Sequence, residues 1–82
     1  MDSIDNKELK KIIAEALDVD VNLITNEAEE GQIEEWDSLG QLSILTSLDS
    51  KINGDISNIT ELGKANSVKL IQEILTKKGL MK

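Results

Sequence analysis

The clearest hydrophobic pattern in the chain begins just after an acid-rich polar stretch. Apolar side chains recur there at intervals of three and four residues, which is the spacing of one face of an α-helix: Leu39, Leu42, Leu45, Leu48 and Ile52. An Asn-Gly pair follows at 53–54, and such a pair commonly ends a helix. We therefore predict a helix from Ser38 to residue 51 or 52. Its polar side is expected to hold Gln41, Ser43, Thr46, Ser47 and Ser50.

The first residues of the chain predict another helix. Asp5 is followed three residues later by Glu8, which is the spacing of a capping box, and Ser3 is an alternative cap. The apolar positions that come next again repeat with helical spacing: Leu9, Ile12, Ile13, Ala16 and Leu17. We place this helix at about residues 4–17.

A last helix is predicted near the end of the sequence. Asn66 or Ser67 is suited to cap it, and two lysines at 77–78 precede Gly79, as is common where a helix ends. The side chains expected to point inward are Val68, Leu70, Ile71, Ile74 and Leu75.

A long connection and a short third helix complete the predicted layout. Residues 18–37 form the connection, and a loop of this length in a compact domain normally crosses the core or carries function. We expect it to be anchored by Leu23 or Ile24, Ile33 and Trp36. Apolar residues between positions 54 and 63 indicate a short third helix or turn. The prediction is an all-α protein, a small four-helix bundle with a long first loop and a short third helix.

Length and composition limit the size and the location of the protein. Eighty-two residues predict one domain, 1–82, with one modest core. That core must be aliphatic, because the chain has eleven Leu, eleven Ile and one Trp but no Phe and no Tyr. The first residues lack the order of a signal peptide, and no apolar stretch reaches membrane-spanning length. We expect a soluble, monomeric cytoplasmic protein.

The charge of the chain restricts its partners. Sixteen acidic and nine basic side chains give a net charge of −7, which repels nucleic acid phosphates and favours protein partners with basic surfaces. With no Cys and no His, the chain lacks disulfides, thiol chemistry and the commonest metal ligand. Residues 18–29 have part of the acidic spacing of a calcium-binding loop, but Leu23 stands where the turn glycine is needed. We expect no metal site.

Ser38 has two possible roles at the start of its helix. Its hydroxyl oxygen can accept a hydrogen bond from a free backbone N–H group as an N-cap. As a nucleophile it would need a base, and the chain has no His, Cys or Tyr, while the nearest lysine in sequence, Lys51, is thirteen residues away. We therefore expect a protein that is not an enzyme. If Ser38 is modified, another enzyme must modify it.

The sequence Asp37-Ser38-Leu39 resembles the Asp-Ser-Leu attachment motif of the acyl carrier protein family. A three-residue motif alone is weak, because it occurs by chance in many proteins. The resemblance extends over nearly the whole chain, since the length, the acidity, the long first loop, the serine opening the second predicted helix and the final helix are also similar to that family.

The resemblance implies a function and a set of roles. Ser38 would carry 4′-phosphopantetheine, transferred from coenzyme A by a phosphopantetheinyl transferase that uses Mg²⁺. Asp37 would help present the site, and Leu39 would be an exposed contact for the transferase. Acyl or aminoacyl groups would be carried as thioesters on the arm. Further implied partners are an acyl- or aminoacyl-loading ligase and downstream transferases or synthases with basic surfaces, in fatty acid or specialised metabolite biosynthesis.

Two features differ from the fatty-acid carriers of that family. Trp36 precedes the motif at a position where small residues are more common. The second predicted helix has Asp49 as its only acid, whereas the preceding loop contains Glu27, Glu29, Glu30, Glu34 and Glu35. We therefore expect electrostatic steering to be weaker or differently aimed, as in a specialised carrier with its own ligase.

Alternatives remain open for each of these residues. Asp37 could act only through its charge at the positive end of the helix, and Leu39 could be a core residue. Trp36 could be a partner contact, although a loop anchor is the preferred interpretation. The alternative function is a small acidic helical interaction module without a prosthetic arm, in which Ser38 is merely a helix cap.

Overall fold

The computed structural model of the chain describes residues 4–51 and 60–81. Within these residues the chain is mostly helical, and β-structure is limited to isolated bridges, which confirms the all-α prediction. The helices are α1 (Asn6–Leu17), α2 (Ser38–Lys51) and α3 (Val68–Lys77), with 3₁₀ segments at Val21–Leu23 and Thr60–Lys64. Most of the predicted short third helix, including Ile56 and Ile59, lies outside the described residues.

Helix α1 begins two residues later than predicted. Asp5 is its N-cap, with one side-chain oxygen accepting a hydrogen bond from the backbone N–H of Glu8 at 2.8 Å. Ile4 is buried, but its backbone N–H donates to the carbonyl oxygen of Leu80 at 3.0 Å, so it pairs with the end of the chain and does not start the helix. Ser3, the alternative cap, lies outside the described residues.

The interior is built from α1, α2, α3, the long first connection and the segment at residues 60–65. The largest fully buried side chains are Leu9, Ile13, Trp36, Ile44, Leu48, Leu62, Val68, Ile71 and Leu75. The predicted inward face of α1 is confirmed except at Ala16, which is partly buried, while Ala14 is buried in the core. On α3, Leu70 is exposed and Ile74 partly buried, although both were expected inward.

Helix α2 is rotated relative to the prediction. Leu39 is 76% exposed and Leu42 is 60% exposed, whereas Gln41, which was expected on the polar side, is buried beside Ile44. Leu48 is buried as predicted and Leu45 is partly buried. Ile52 lies outside the described residues. Because apolar residues occur on both sides of this helix, spacing alone fits more than one face.

The long first connection is held to the rest of the fold at both of its halves. Ile24 and Trp36 are buried and Ile33 is partly buried, as expected, whereas Leu23 is exposed. The backbone N–H of Glu30 donates to the carbonyl oxygen of Asn66 at 2.8 Å. The N–H of Val68 donates to the carbonyl oxygen of residue 28 at 3.0 Å. These bonds fasten the connection to the segment that leads into α3.

Helix α3 has the cap and the end that its sequence predicts. The hydroxyl oxygen of Ser67 accepts a hydrogen bond from the backbone N–H of Leu70 at 3.2 Å, so Ser67 and not Asn66 is the N-cap. Gly79 has a φ of +75°, a conformation that glycine adopts readily at a helix end. In the described ranges no helix is both long and apolar enough to cross a membrane.

Candidate functional site

Ser38 is the first residue of α2 and is exposed on the surface. The three consecutive residues Asp37, Ser38 and Leu39 are exposed, and the residues on either side of them, Trp36 and Gly40, are buried. No hydrogen bond joins the Ser38 hydroxyl to another side chain within residues 4–51 or 60–81. The hydroxyl is therefore accessible to an enzyme that approaches the start of α2.

Asp37, and not Ser38, caps the helix. Its Oδ1 atom accepts a hydrogen bond from the backbone N–H of Gly40 at 2.9 Å, and its carbonyl oxygen accepts one from the N–H of Gln41 at 2.8 Å. These are the two bonds of an N-cap residue. The interpretation of Ser38 as a cap is therefore wrong, because the cap position is one residue earlier. Asp37 contributes through hydrogen bonding as well as through charge.

Gly40 lets the preceding loop pass directly against α2. A Cβ atom at this position would lie 2.3 Å from the backbone carbonyl oxygen of Glu35 and 2.8 Å from Cδ2 of Leu17. Both distances are far below van der Waals contact, and the closer atom belongs to the backbone, which cannot rotate away. The backbone at Glu35, before Ser38, therefore packs directly against the first turn of α2 at Gly40.

A buried hydrogen-bond network lies beneath Ser38. The Trp36 indole N–H donates to Oε1 of Gln41 at 2.8 Å. The Gln41 amide in turn donates through Nε2 to the carbonyl oxygens of Ala65, at 2.9 Å, and Leu62, at 3.3 Å. Trp36 is fully buried, which confirms its interpretation as a loop anchor and excludes a surface contact through its ring.

Sequence reasoning missed Gln41, although one signal pointed to it. A buried tryptophan usually needs an acceptor for its N–H group, and Gln41 stands only five residues after Trp36. Its other partners, at positions 62 and 65, are more than twenty residues away in sequence, so the pattern around the motif does not reveal them.

The surface around Ser38 combines apolar and acidic side chains. Leu39 and Leu42 are the exposed large apolar residues of α2. Leu39 is therefore a surface residue and not a core residue. Glu34 and Glu35, just before the motif, are exposed carboxylates. Within the described ranges, no three acidic side chains are grouped as metal ligands would be.

The start of α2 offers backbone hydrogen-bond donors beside Ser38. The first N–H groups of a helix have no partner within the helix, and the aligned peptide dipoles give this end a partial positive charge. Asp37 pairs with the N–H of Gly40 and leaves those of Ser38 and Leu39 without a side-chain acceptor within the described residues. An anion attached to Ser38 would lie beside these backbone donors, and also beside the carboxylate of Asp37, which has the same sign of charge.

Comparison with protein-family models, with curated proteins and with solved structures found no match to this chain. The resemblance to acyl carrier proteins therefore depends on the sequence of the chain alone.

Proposed function

We propose that the chain is a carrier protein that holds 4′-phosphopantetheine on Ser38 and presents acyl or aminoacyl thioesters to partner enzymes. The observation that carries the proposal is the accessible Ser38 hydroxyl at the first position of α2, in the Asp-Ser-Leu motif and without a capping role. A serine that stabilised its own helix would need no second role. Because Asp37 caps the helix, helix capping does not explain the serine at position 38.

The attachment reaction assigns a task to each residue. The Ser38 Oγ atom forms a bond to the β-phosphorus of coenzyme A, the bond from that phosphorus to the nucleotide side breaks, and 3′,5′-ADP leaves. The hydroxyl proton passes to a base on the transferase, because no His, Cys or Tyr exists in this chain. Asp37 holds the first turn in place, and the terminal thiol of the bound arm supplies the thioester chemistry.

Leu39 and Leu42 are proposed to contact the transferase. Both are exposed next to Ser38, and large apolar side chains that remain on a surface commonly mark protein contacts. The carboxylates of Glu34 and Glu35 lie in the preceding loop and favour a partner with basic side chains on that side. A loading ligase and downstream transferases or synthases are the further partners of this proposal.

The proposal includes the four-helix arrangement of acyl carrier proteins. The 3₁₀ helix Thr60–Lys64 would stand where that family has its short third helix. Because α2 itself has few acids, we further propose a specialised carrier and not the general fatty-acid carrier.

One observation also favours a second function. Leu39 and Leu42 could bind a partner without any arm, in a small acidic interaction module. A Ser38→Ala variant separates the two functions, since it removes the attachment atom and keeps the apolar surface.

Intact-mass measurement tests the proposal directly. The protein is incubated with coenzyme A, Mg²⁺ and a promiscuous phosphopantetheinyl transferase, beside Ser38→Ala and the matched control Ser43→Ala, which changes another exposed serine of α2. One phosphopantetheine on the wild type and on the control, and none on Ser38→Ala, is the expected result. A folded wild type that stays unmodified, while a known carrier is modified, would leave the interaction module as the better account.

A further inference from the structure

Gln41 occupies an interior position that attachment at Ser38 does not by itself require. In the described part of the chain it is the one polar residue among the buried side chains. Burying an amide is unfavourable unless its donors and acceptors are paired. Here the oxygen accepts one hydrogen bond and the NH₂ group donates two, to the partners described above.

The chemistry of its neighbours fixes the orientation of the Gln41 amide. The Trp36 indole can only donate, so the amide oxygen must face it. The carbonyl oxygens of Leu62 and Ala65 can only accept, so the NH₂ group must face them. A flipped amide would lose all of these bonds, and the side chain therefore has one satisfied orientation.

The hydrogen bond between Trp36 and Gln41 joins the two ends of the short segment that contains Ser38. Trp36 precedes Ser38 by two residues and Gln41 follows it by three, and their side chains meet in the core at 2.8 Å. Above them, Asp37 is bonded to Gly40, which is itself pressed against the backbone of Glu35. Turning the Ser38 backbone would require breaking at least one of these contacts.

The NH₂ group of the amide links this turn, through its two hydrogen bonds, to a segment that is distant in sequence. Leu62 lies within the 3₁₀ helix Thr60–Lys64, and Ala65 follows it directly. Both side chains are buried, so this segment is part of the core. Residue 66 then accepts the hydrogen bond of Glu30, which completes the connection back to the long loop.

On the basis of the proposed attachment at Ser38, we propose that Gln41 is a positioning residue for that reaction. By joining Trp36 to the carbonyl groups at 62 and 65, it fixes the backbone of the turn and so the point from which the Ser38 side chain extends toward the incoming phosphorus. The effect acts through the backbone of the turn, and Gln41 itself does not touch the substrate. Accurate placement of a nucleophile chiefly affects the rate of the bound complex and has less effect on its formation.

A Gln41→Met variant tests this role, because methionine has a similar length and forms none of the three hydrogen bonds. The control is Ile71→Val, or Ile71→Ala if a larger loss of stability has to be matched, since Ile71 is fully buried in α3 and belongs to none of the contacts around Ser38. Steady-state kinetics of the transferase are measured with each variant of the chain as substrate, under conditions where circular dichroism shows every variant folded.

We expect kcat for modification of Gln41→Met to fall about tenfold with a much smaller change in KM. The control should remain within about twofold of the wild type. Equal kcat values for Gln41→Met and the control would overturn the positioning role and leave the carrier function intact. An unmodified wild type would overturn both proposals.

A second variant covers the case in which Gln41→Met does not fold. Trp36→Phe removes the hydrogen bond from the indole together with part of a fully buried ring, and it keeps both bonds from Gln41 to the backbone carbonyl groups. Its kcat should fall by at least about threefold relative to the stability-matched control. A value equal to that of the control would contradict the proposal.

Discussion

The backbone carbonyl oxygen of Glu35 lies 2.3 Å from the point that a Cβ atom on residue 40 would occupy. Gly40 is therefore required by its surroundings, although a glycine inside a helix costs about 1 kcal/mol relative to alanine. Gly40 faces the interior, where the loop crosses α2.

A Gly40→Ala variant should be less stable in spite of its better helix propensity. The clash with backbone and with Leu17 should outweigh the gain and lower the free energy of unfolding by about 2 kcal/mol or more. Urea denaturation followed by the fluorescence of Trp36, the single tryptophan, measures this. Gly63→Ala is the matched control, because a Cβ there would meet nothing within 4 Å, and its stability should stay the same or rise slightly.

Three substitutions separate a capping role from an attachment role at the start of α2. Asp37→Ala should cost about 1 kcal/mol of stability because it removes the cap, and Ser67→Ala should cost a similar amount at α3. Ser38→Ala should change the free energy of unfolding by less than about 0.5 kcal/mol, since its hydroxyl caps nothing. Urea denaturation of the three proteins compares them. A loss at Ser38 as large as that at Ser67 would contradict the assignment of the cap.

Leu42 and Ile44 should respond in opposite ways to truncation. Ile44→Ala removes a fully buried side chain and should cost about 2–5 kcal/mol. Leu42→Ala removes a side chain that is 60% exposed and should leave stability almost unchanged. Under the proposed function, Leu42→Ala should nevertheless raise the KM of the transferase for the protein. An unchanged KM together with unchanged stability would remove Leu42 from the contact surface.

Asp18 offers a stabilising substitution at the end of α1. It has a φ of +58°, where glycine is favoured, and its carboxylate lies at the negative end of the helix. Asp18→Gly should therefore raise the free energy of unfolding by roughly 0.5–1 kcal/mol. Asp20→Gly is the matched control and should destabilise the protein, because Asp20 accepts a hydrogen bond from the N–H of Asn22 at 2.8 Å. Both variants are measured by thermal or urea denaturation.

The sequence predicted α1 and α3 well, because each of them has one apolar face and a recognisable cap. Asp5 and Ser67 occupy the cap positions that their residue types favour. Stripes of Leu and Ile then place one face of each helix in the core, with errors only at the edges of that face.

The sequence locates helix α2 but does not show which of its faces is buried. Its leucines fit a stripe through positions 39 and 42, yet the buried face runs through Gln41, Ile44 and Leu48. The choice between the two depends on the loop that packs against Gly40 and on the partners of Gln41, of which Leu62 and Ala65 are distant in sequence. The exposed Ser38 and Leu39 of the candidate site follow from that rotation. The spacing of apolar residues along the chain does not determine this rotation.

The central claim, covalent attachment of an arm at Ser38, is tested most directly by counting thiols. The chain has no cysteine, so a thiol found on the protein after treatment with coenzyme A and transferase, and after removal of both the transferase and small molecules, must belong to the added arm. We predict one titratable thiol per chain in the wild type and none in Ser38→Ala, which remains folded. A wild type without a thiol, or a Ser38→Ala variant with one, would contradict attachment at Ser38.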